Sequence, residues 1–220
     1  IDSEFKTNIA NNKGGCIYIQ GSSELTEVNI KTSKFINSEA SKGYGCLYFN
    51  LHCDISIEDT NIENNIITTK PSTPSNSVKF DEFGCGGLYI YGHEETNTIS
   101  ITNSKINQNE ATHNIGGIFI ESTKTENVQI TINNTEIINN KATNDYSALY
   151  LSVKSNDMTV ISECTFGLIK SNDKSCAVSF ISAGAVYLED CQFKQSPPIS
   201  QDKILAENNE ITDSGLDHYY

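Results

Sequence analysis

The stretch GGCIYIQG at residues 14–21 returns along the chain as YGCLYFN at 44–50, GGLYIYG at 86–92, GGIFIES at 116–122 and SALYLSV at 147–153. Each copy sets two small residues before an aliphatic, an aromatic and a second aliphatic residue. The small column contains Gly15, Gly45, Gly86 and Gly116, then Ser147. The aliphatic columns read Ile17, Leu47, Leu88, Ile118, Leu149, Val178 and Ile19, Phe49, Ile90, Ile120, Leu151, Phe180. Apolar residues two apart mark a strand with one buried face, and phrases returning in fixed order mark a repeat architecture.

A second phrase alternates with the first. VNIKTSKF at 28–35 recurs as ISIEDTNI at 55–62, ISITNSKI at 99–106, ITINNTEI at 130–137, TVISECTF at 159–166 and VYLEDCQF at 186–193. Its last column is Phe5, Phe35, Ile62, Ile106, Ile137, Phe166 and Phe193, at spacings of 27 to 31 residues with a single interval of 44. Three residues further on stand Asn8, Ser38, Asn65, Asn109 and Asn140. No unit shows a helical period, and a unit of this size cannot close a core alone. If successive units stack with equivalent strands parallel and about 4.8 Å apart, each column becomes a ladder around one continuous interior.

The sequence therefore predicts an all-β fold, a right-handed parallel β-helix of six to seven coils over residues 1–194. A β-sandwich gives no reason for Phe or Ile, Asn and Gly-Gly to recur in fixed order, and the LxxLxL pattern of a leucine-rich repeat is missing. The long interval holds KPSTPSNSVKFDEF at 70–83, whose Pro and Ser mark an outward loop of the kind that often binds. Residues 195–220 lack both phrases and read as a cap, a degenerate coil or a linker.

All 15 basic residues are Lys, and against 28 acidic residues they leave a net charge of −13. Such a field repels polyanions, so neither nucleic acid nor an anionic membrane surface is an expected partner. No apolar run reaches the roughly 20 residues of a membrane-spanning helix. The seven Cys contain no CxxC pair, so no zinc or thioredoxin-like motif is present. With Ile1 in first place, the chain is expected to be a fragment or a mature segment. Asn133 opens the sequon Asn133-Asn134-Thr135, an acceptor for glycans if the chain is secreted.

The run from Phe5 to Asn8 is FxxN, Ile replaces the Phe at Ile62, Ile106 and Ile137, and Gly-Gly before an aliphatic strand follows in alternation. This pattern, over residues 1 to about 193, resembles the polymorphic outer-membrane-protein repeats of chlamydial surface autotransporters and of related proteins in some protists. The resemblance implies a β-helical surface protein with an adhesive or structural role, placed outside the cell or on its surface.

Several columns are candidate sites. Tyr18, Tyr48, Tyr89, Phe119 and Tyr150 should point outward between the aliphatic columns, either stacking on one another or offering an aromatic stripe to a sugar or protein. The Asn column (Asn8, Asn65, Asn109, Asn140) suits a structural ladder at turns that need the left-handed conformation. Cys16 with Cys46, and Cys164 with Cys191, occupy equivalent places in neighbouring units and are expected to be buried thiols rather than disulfides. Asp59, Glu163 and Asp190 share a column flanked by Glu58 and Glu189, which reads as a solvated acidic face rather than a Ca²⁺ site. His52, His93, His113 and His218 are taken to recur in no column. No metal or cofactor is expected.

The β-helix also carries polysaccharide lyases and glycoside hydrolases, so the fold alone leaves function open. Enzymes of those classes are similar in using Arg or clustered Asp; this chain has no Arg and no DD or NTD. Asp54, Glu58, Asp59 and Glu63 are the carboxylates available for an acid/base pair. The leading expectation is a non-enzymatic module that binds a cell-surface protein or glycan, with a carbohydrate-active enzyme or its inactive derivative as the alternative.

Overall fold

A computed structural model shows the chain as a solenoid of parallel strands with no helix among the described residues. The structure describes residues 2–21, 27–41, 43–68, 84–93, 96, 98–112, 115–123, 128–142, 148–154, 159–168, 178–182, 186–194, 206–207 and 211–214. The 70–83 segment expected to form a loop lies outside them.

The first lap comprises β1 (Ser3–Lys6), β2 (Ile9–Ala10), β3 (Ile17–Gln20) and β4 (Glu27–Lys31). The second repeats it as β5 (Ser33–Ile36), β6 (Glu39–Ala40), β7 (Leu47–Leu51) and β8 (Asp54–Glu58). The third has β9 (Asn61–Glu63), β10 (Ile66–Ile67), β11 (Leu88–Gly92) and β12 (Thr98–Thr102), and the fourth β13 (Lys105–Asn107), β14 (Glu110–Ala111), β15 (Ile118–Ser122) and β16 (Gln129–Asn133). In the fifth lap the first two strands fuse into β17 (Glu136–Ala142), followed by β18 (Leu149–Val153) and β19 (Thr159–Ser162). Then come β20 (Thr165–Leu168), β21 (Val178–Ser182), β22 (Val186–Glu189), β23 (Gln192–Lys194), β24 (Ala206–Glu207) and β25 (Ile211–Ser214).

Equivalent strands pair in parallel throughout. One seven-stranded sheet runs β3-β7-β11-β15-β18-β21-β24, a second runs β4-β8-β12-β16-β19-β22-β25, and an eleven-stranded sheet joins the remaining strands through β17. The winding is right-handed, the sense in which a twisted strand returns to lie beside its predecessor. Among the described residues the first four laps carry all four strands, so the complete coils number about four where the repeat phrases suggest six to seven. The Asn and Ala that end the short phrase stop at Asn140 and Ala142. Past residue 194, β24 pairs with β21 and β25 with β22.

The register is the one the columns predict. Leu47 lies beside Leu88 and Leu88 beside Ile118, with Ile17 before them and Leu149 after. Phe5 pairs with Phe35, Phe35 with Ile62 and Ile62 with Ile106. The inward residues of all three faces form a single buried cluster from Phe35 to Cys191. The longer interval of 44 residues between Ile62 and Ile106 leaves the ladder intact, since a solenoid transmits register through neighbouring laps and not through the connecting chain. In the first lap Phe5, Ile17, Ile19, Val28 and Ile30 are half-buried, because β1, β3 and β4 are the outer strands of their sheets.

Two sharp corners per lap set the cross-section. At the first, inside the second long phrase and three residues before the Phe/Ile column, Thr32, Asp59, Asn103, Asn134, Glu163 and Asp190 have φ between 50 and 55°, except Asn134 at 44°. The next residue locks the corner by donating its side-chain proton to the carbonyl two residues back: Ser33 to Lys31 (2.9 Å), Thr60 to Glu58 (2.8 Å), Ser104 to Thr102 (2.7 Å), Thr135 to Asn133 (2.9 Å) and Cys164 to Ser162 (3.2 Å). At the second corner the left-handed residues are Thr7, Asn37, Asn64, Gln108 and Asn139. Each stands one place before the ladder residue. The expectation that the ladder Asn itself takes the left-handed conformation is thus corrected: its amide is needed inside, and the corner falls to its neighbour.

Candidate functional site

Behind the second corner the Asn column is continuous, half-buried at Asn8 and buried from Ser38 through Asn140. Asn65 Nδ2 donates to Asn109 Oδ1 (2.9 Å) and to the Phe35 carbonyl (3.0 Å), while Asn109 Nδ2 donates to Asn140 Oδ1 (3.1 Å) and to the Ile62 carbonyl (2.8 Å). The backbone N–H groups of Asn65 and Asn109 reach the same two oxygens, at 3.1 and 3.0 Å. Ser38 takes the ladder position in the second lap, accepting the N–H of Asn8 at 3.2 Å. These side chains are spent on backbone groups that a turn would otherwise leave unpaired inside the core.

Gly15, Gly45, Gly86 and Gly116 stack in a column of close approach. A Cβ on Gly86 would stand 2.8 Å from the Gly116 carbonyl oxygen and 2.8 Å from the Glu110 carbonyl. The sequence's small pairs therefore reflect backbone proximity between laps; none of these four has positive φ.

The aromatic column points outward, as the period of two requires, yet most of it is covered. Tyr48 and Tyr89 are 4% exposed, Phe119 and Tyr150 1%. With Tyr44, Cys85 and Ile115 they form a second apolar cluster on the outer surface of the β7-β11-β15-β18 sheet. Tyr18 stacks on Tyr48 with centroids 4.7 Å apart, Tyr48 on Tyr89 at 5.3 Å, and the sequence continues edge to face through Phe119 and Tyr150. Tyr44 covers Tyr89 at 4.0 Å, and Lys13 Nζ sits 5.0 Å from the Tyr48 ring. Only Tyr18, 45% exposed, keeps a ring available to an outside molecule.

Beside Tyr18 lies an open hollow of about 620 Å³ lined by Tyr18, Gln20, Gly21, Asn50, His52 and His93. The Tyr18 hydroxyl donates to Gln20, Asn50 Nδ2 donates to the Tyr48 hydroxyl at 3.3 Å, and Asn50 Oδ1 meets His93 Nε2. The two imidazoles stack with centroids 3.9 Å apart and planes 4° from parallel. The expectation that His52 and His93 share no column is therefore corrected. Each stands one residue beyond the paired Leu51 and Gly92, so carrying the YFN and YIY alignment two places further exposes the pair. Gln20 and Asn50, likewise missed, are paired outward residues of β3 and β7.

Among the described residues the acidic side chains lie elsewhere than this hollow. Asp59, Glu163 and Asp190 are corner residues. Glu58 pairs with Lys31 at 2.8 Å, and Asp54 accepts the Thr98 N–H at 2.9 Å. Among the described residues no group of three His, Cys, Asp or Glu side chains could hold a metal ion. Six cysteines are free thiols, with Cys176 outside the described residues. The sequon side chain of Asn133 donates to Ser162 at 2.9 Å. No helix among the described residues is long and apolar enough to cross a membrane. The chain matches no protein-family model, no curated protein and no solved structure.

Proposed function

We propose that the chain is a non-enzymatic binding module of a cell surface or of the extracellular space that holds an uncharged glycan in the hollow beside Tyr18. One observation carries this reading: an exposed tyrosine ring shares an open hollow with two amides and two imidazoles. An aromatic face takes the C–H side of a sugar ring, and fixed amide and imidazole groups select the hydroxyls around it. The resemblance to surface-protein repeats accords with the same role.

A glycan array followed by calorimetry on the best ligand tests it. Tyr18→Ala and Asn50→Ala should each weaken binding tenfold or more while leaving the far-ultraviolet spectrum unchanged, and a reducing-sugar assay should register no turnover. Equal binding by wild type and Tyr18→Ala would end the assignment.

A further inference from the structure

The thiols of Cys16 and Cys46 lie one above the other at the entrance to β3 and β7, with their sulfur atoms 3.2 Å apart. Their surroundings differ. Cys46 is completely buried in the main core, whereas Cys16 belongs to the outer lap and is only half-buried. Cys16 Sγ accepts from Asn8 Nδ2 at 3.9 Å and from the Cys46 thiol. A disulfide requires Cα atoms about 4.4–6.8 Å apart and sulfurs about 2.0 Å apart, and parallel neighbours spaced by about 4.8 Å meet the first condition. Closing the second takes a side-chain rotation and no new backbone path.

We propose that Cys16 and Cys46 form a redox-responsive pair in which Cys16 attacks a small disulfide and Cys46 resolves the adduct into a bond between the first two laps. In the first step the Cys16 thiolate forms a bond to one sulfur of the small disulfide, whose other half leaves as a thiolate. In the second, Cys46 attacks Cys16 Sγ and expels the remaining half, which leaves as a thiol carrying the Cys46 proton. Two protein thiols are oxidised, and one small disulfide is reduced to two thiols.

The ionisation preferences suit these roles. Hydrogen bonds from Cys46, Ser38 and Asn8 outweigh burial and lower the Cys16 thiol below its usual range, while burial raises Cys46 well above it. The thiolate thus forms first on the accessible sulfur. Cys85 donates to the carbonyls of Leu88 and Gly117 and is fully enclosed. Cys164 is equally buried, and Cys191 is 7% exposed with its thiol on the Glu189 carbonyl, so neither offers a small disulfide the access that Cys16 does.

The test exposes the reduced 220-residue chain to graded oxidised glutathione, quenches with N-ethylmaleimide, and reads intact mass and linked peptides. The expected first product has lost two hydrogens, carries no glutathione and joins the Cys16 peptide to the Cys46 peptide. Cys46→Ser should trap glutathione on Cys16, and Cys16→Ser should leave Cys46 unmodified over the same time. Hydrogen exchange in β3 should slow in the oxidised protein. A lasting glutathione adduct on wild-type Cys16, or a Cys164–Cys191 bond formed first, overturns the proposal, and neither reading depends on the variants folding.

Discussion

Replacing Asn109 by Ala tests the physical basis of the coil most directly. The side chain makes four hydrogen bonds that Ala cannot: Nδ2 to the Ile62 carbonyl (2.8 Å), Nδ2 to Asn140 Oδ1 (3.1 Å), and Oδ1 from the backbone N–H (3.1 Å) and Nδ2 (2.9 Å) of Asn65. All the residues involved are buried, so water cannot repair the loss without opening the lap. The Asn65 N–H loses its acceptor outright, at about 1–3 kcal/mol, and the other broken bonds bring the expected total to about 3–5 kcal/mol. With a urea slope of about 2 kcal/mol/M the midpoint should fall by about 2 M at unchanged slope. Asn109→Ser should recover a substantial part, because Ser38 already serves the same place by accepting from Asn8 and donating to the Ile36 carbonyl at 3.2 Å. Urea melts of the three proteins followed by circular dichroism provide the measurement. A loss below about 1 kcal/mol, or equal losses for Ala and Ser, would refute the account of the ladder as an internal hydrogen-bond donor and acceptor chain.

The remaining expectations concern packing and ionisation. Gly86→Ala should cost about 1–3 kcal/mol by overpacking, since its methyl would press on backbone atoms of Glu110 and Gly116 that cannot rotate away; a melt within a degree of wild type would contradict this. Tyr89→Ala should destabilise the fold by about 3–5 kcal/mol, since it removes a ring that touches Tyr44, Tyr48 and Phe119. By contrast, Tyr18→Ala should cost much less, and reversal of that order in thermal melts would argue against the covered stripe. Burial holds the Cys85 thiol at about 12, against 9.0 for a free thiol. Because the folded value is the raised one, its contribution is intact below pH 9 and is lost as pH rises toward 12, at up to about 1.4 kcal/mol per pH unit. Stability measured across that window should fall less steeply in Cys85→Ser.

The recurrence of two phrases made the inward columns legible before any coordinates, because stacking in a solenoid places like residues over like and the strand period assigns them a side. Leu47, Leu88 and Ile118 are seated accordingly. The corner device was partly hidden. Ser33, Thr60, Ser104, Thr135 and Cys164 form a column as regular as the Asn one, yet its purpose appears only when each side chain is seen folding back on the carbonyl two residues earlier. The His52–His93 stack was readable in principle, since both follow the same strand at the same distance.

What the sequence determined alone was therefore periodic: strand phase, lap order, and which residues share a row, all of which follow from nearest-neighbour stacking. What tertiary structure decided was coverage. Tyr48 and Tyr18 occupy the same column with the same outward direction, and the cover that Tyr44, Tyr89 and Lys13 give Tyr48 makes one buried and the other open. The pattern of alternation carries the direction of a side chain but no record of what lies above it. The closeness of Cys16 and Cys46 sulfurs is of the same kind, for a shared column sets the spacing of backbones while rotamers and the space left by neighbours set the distance between tips.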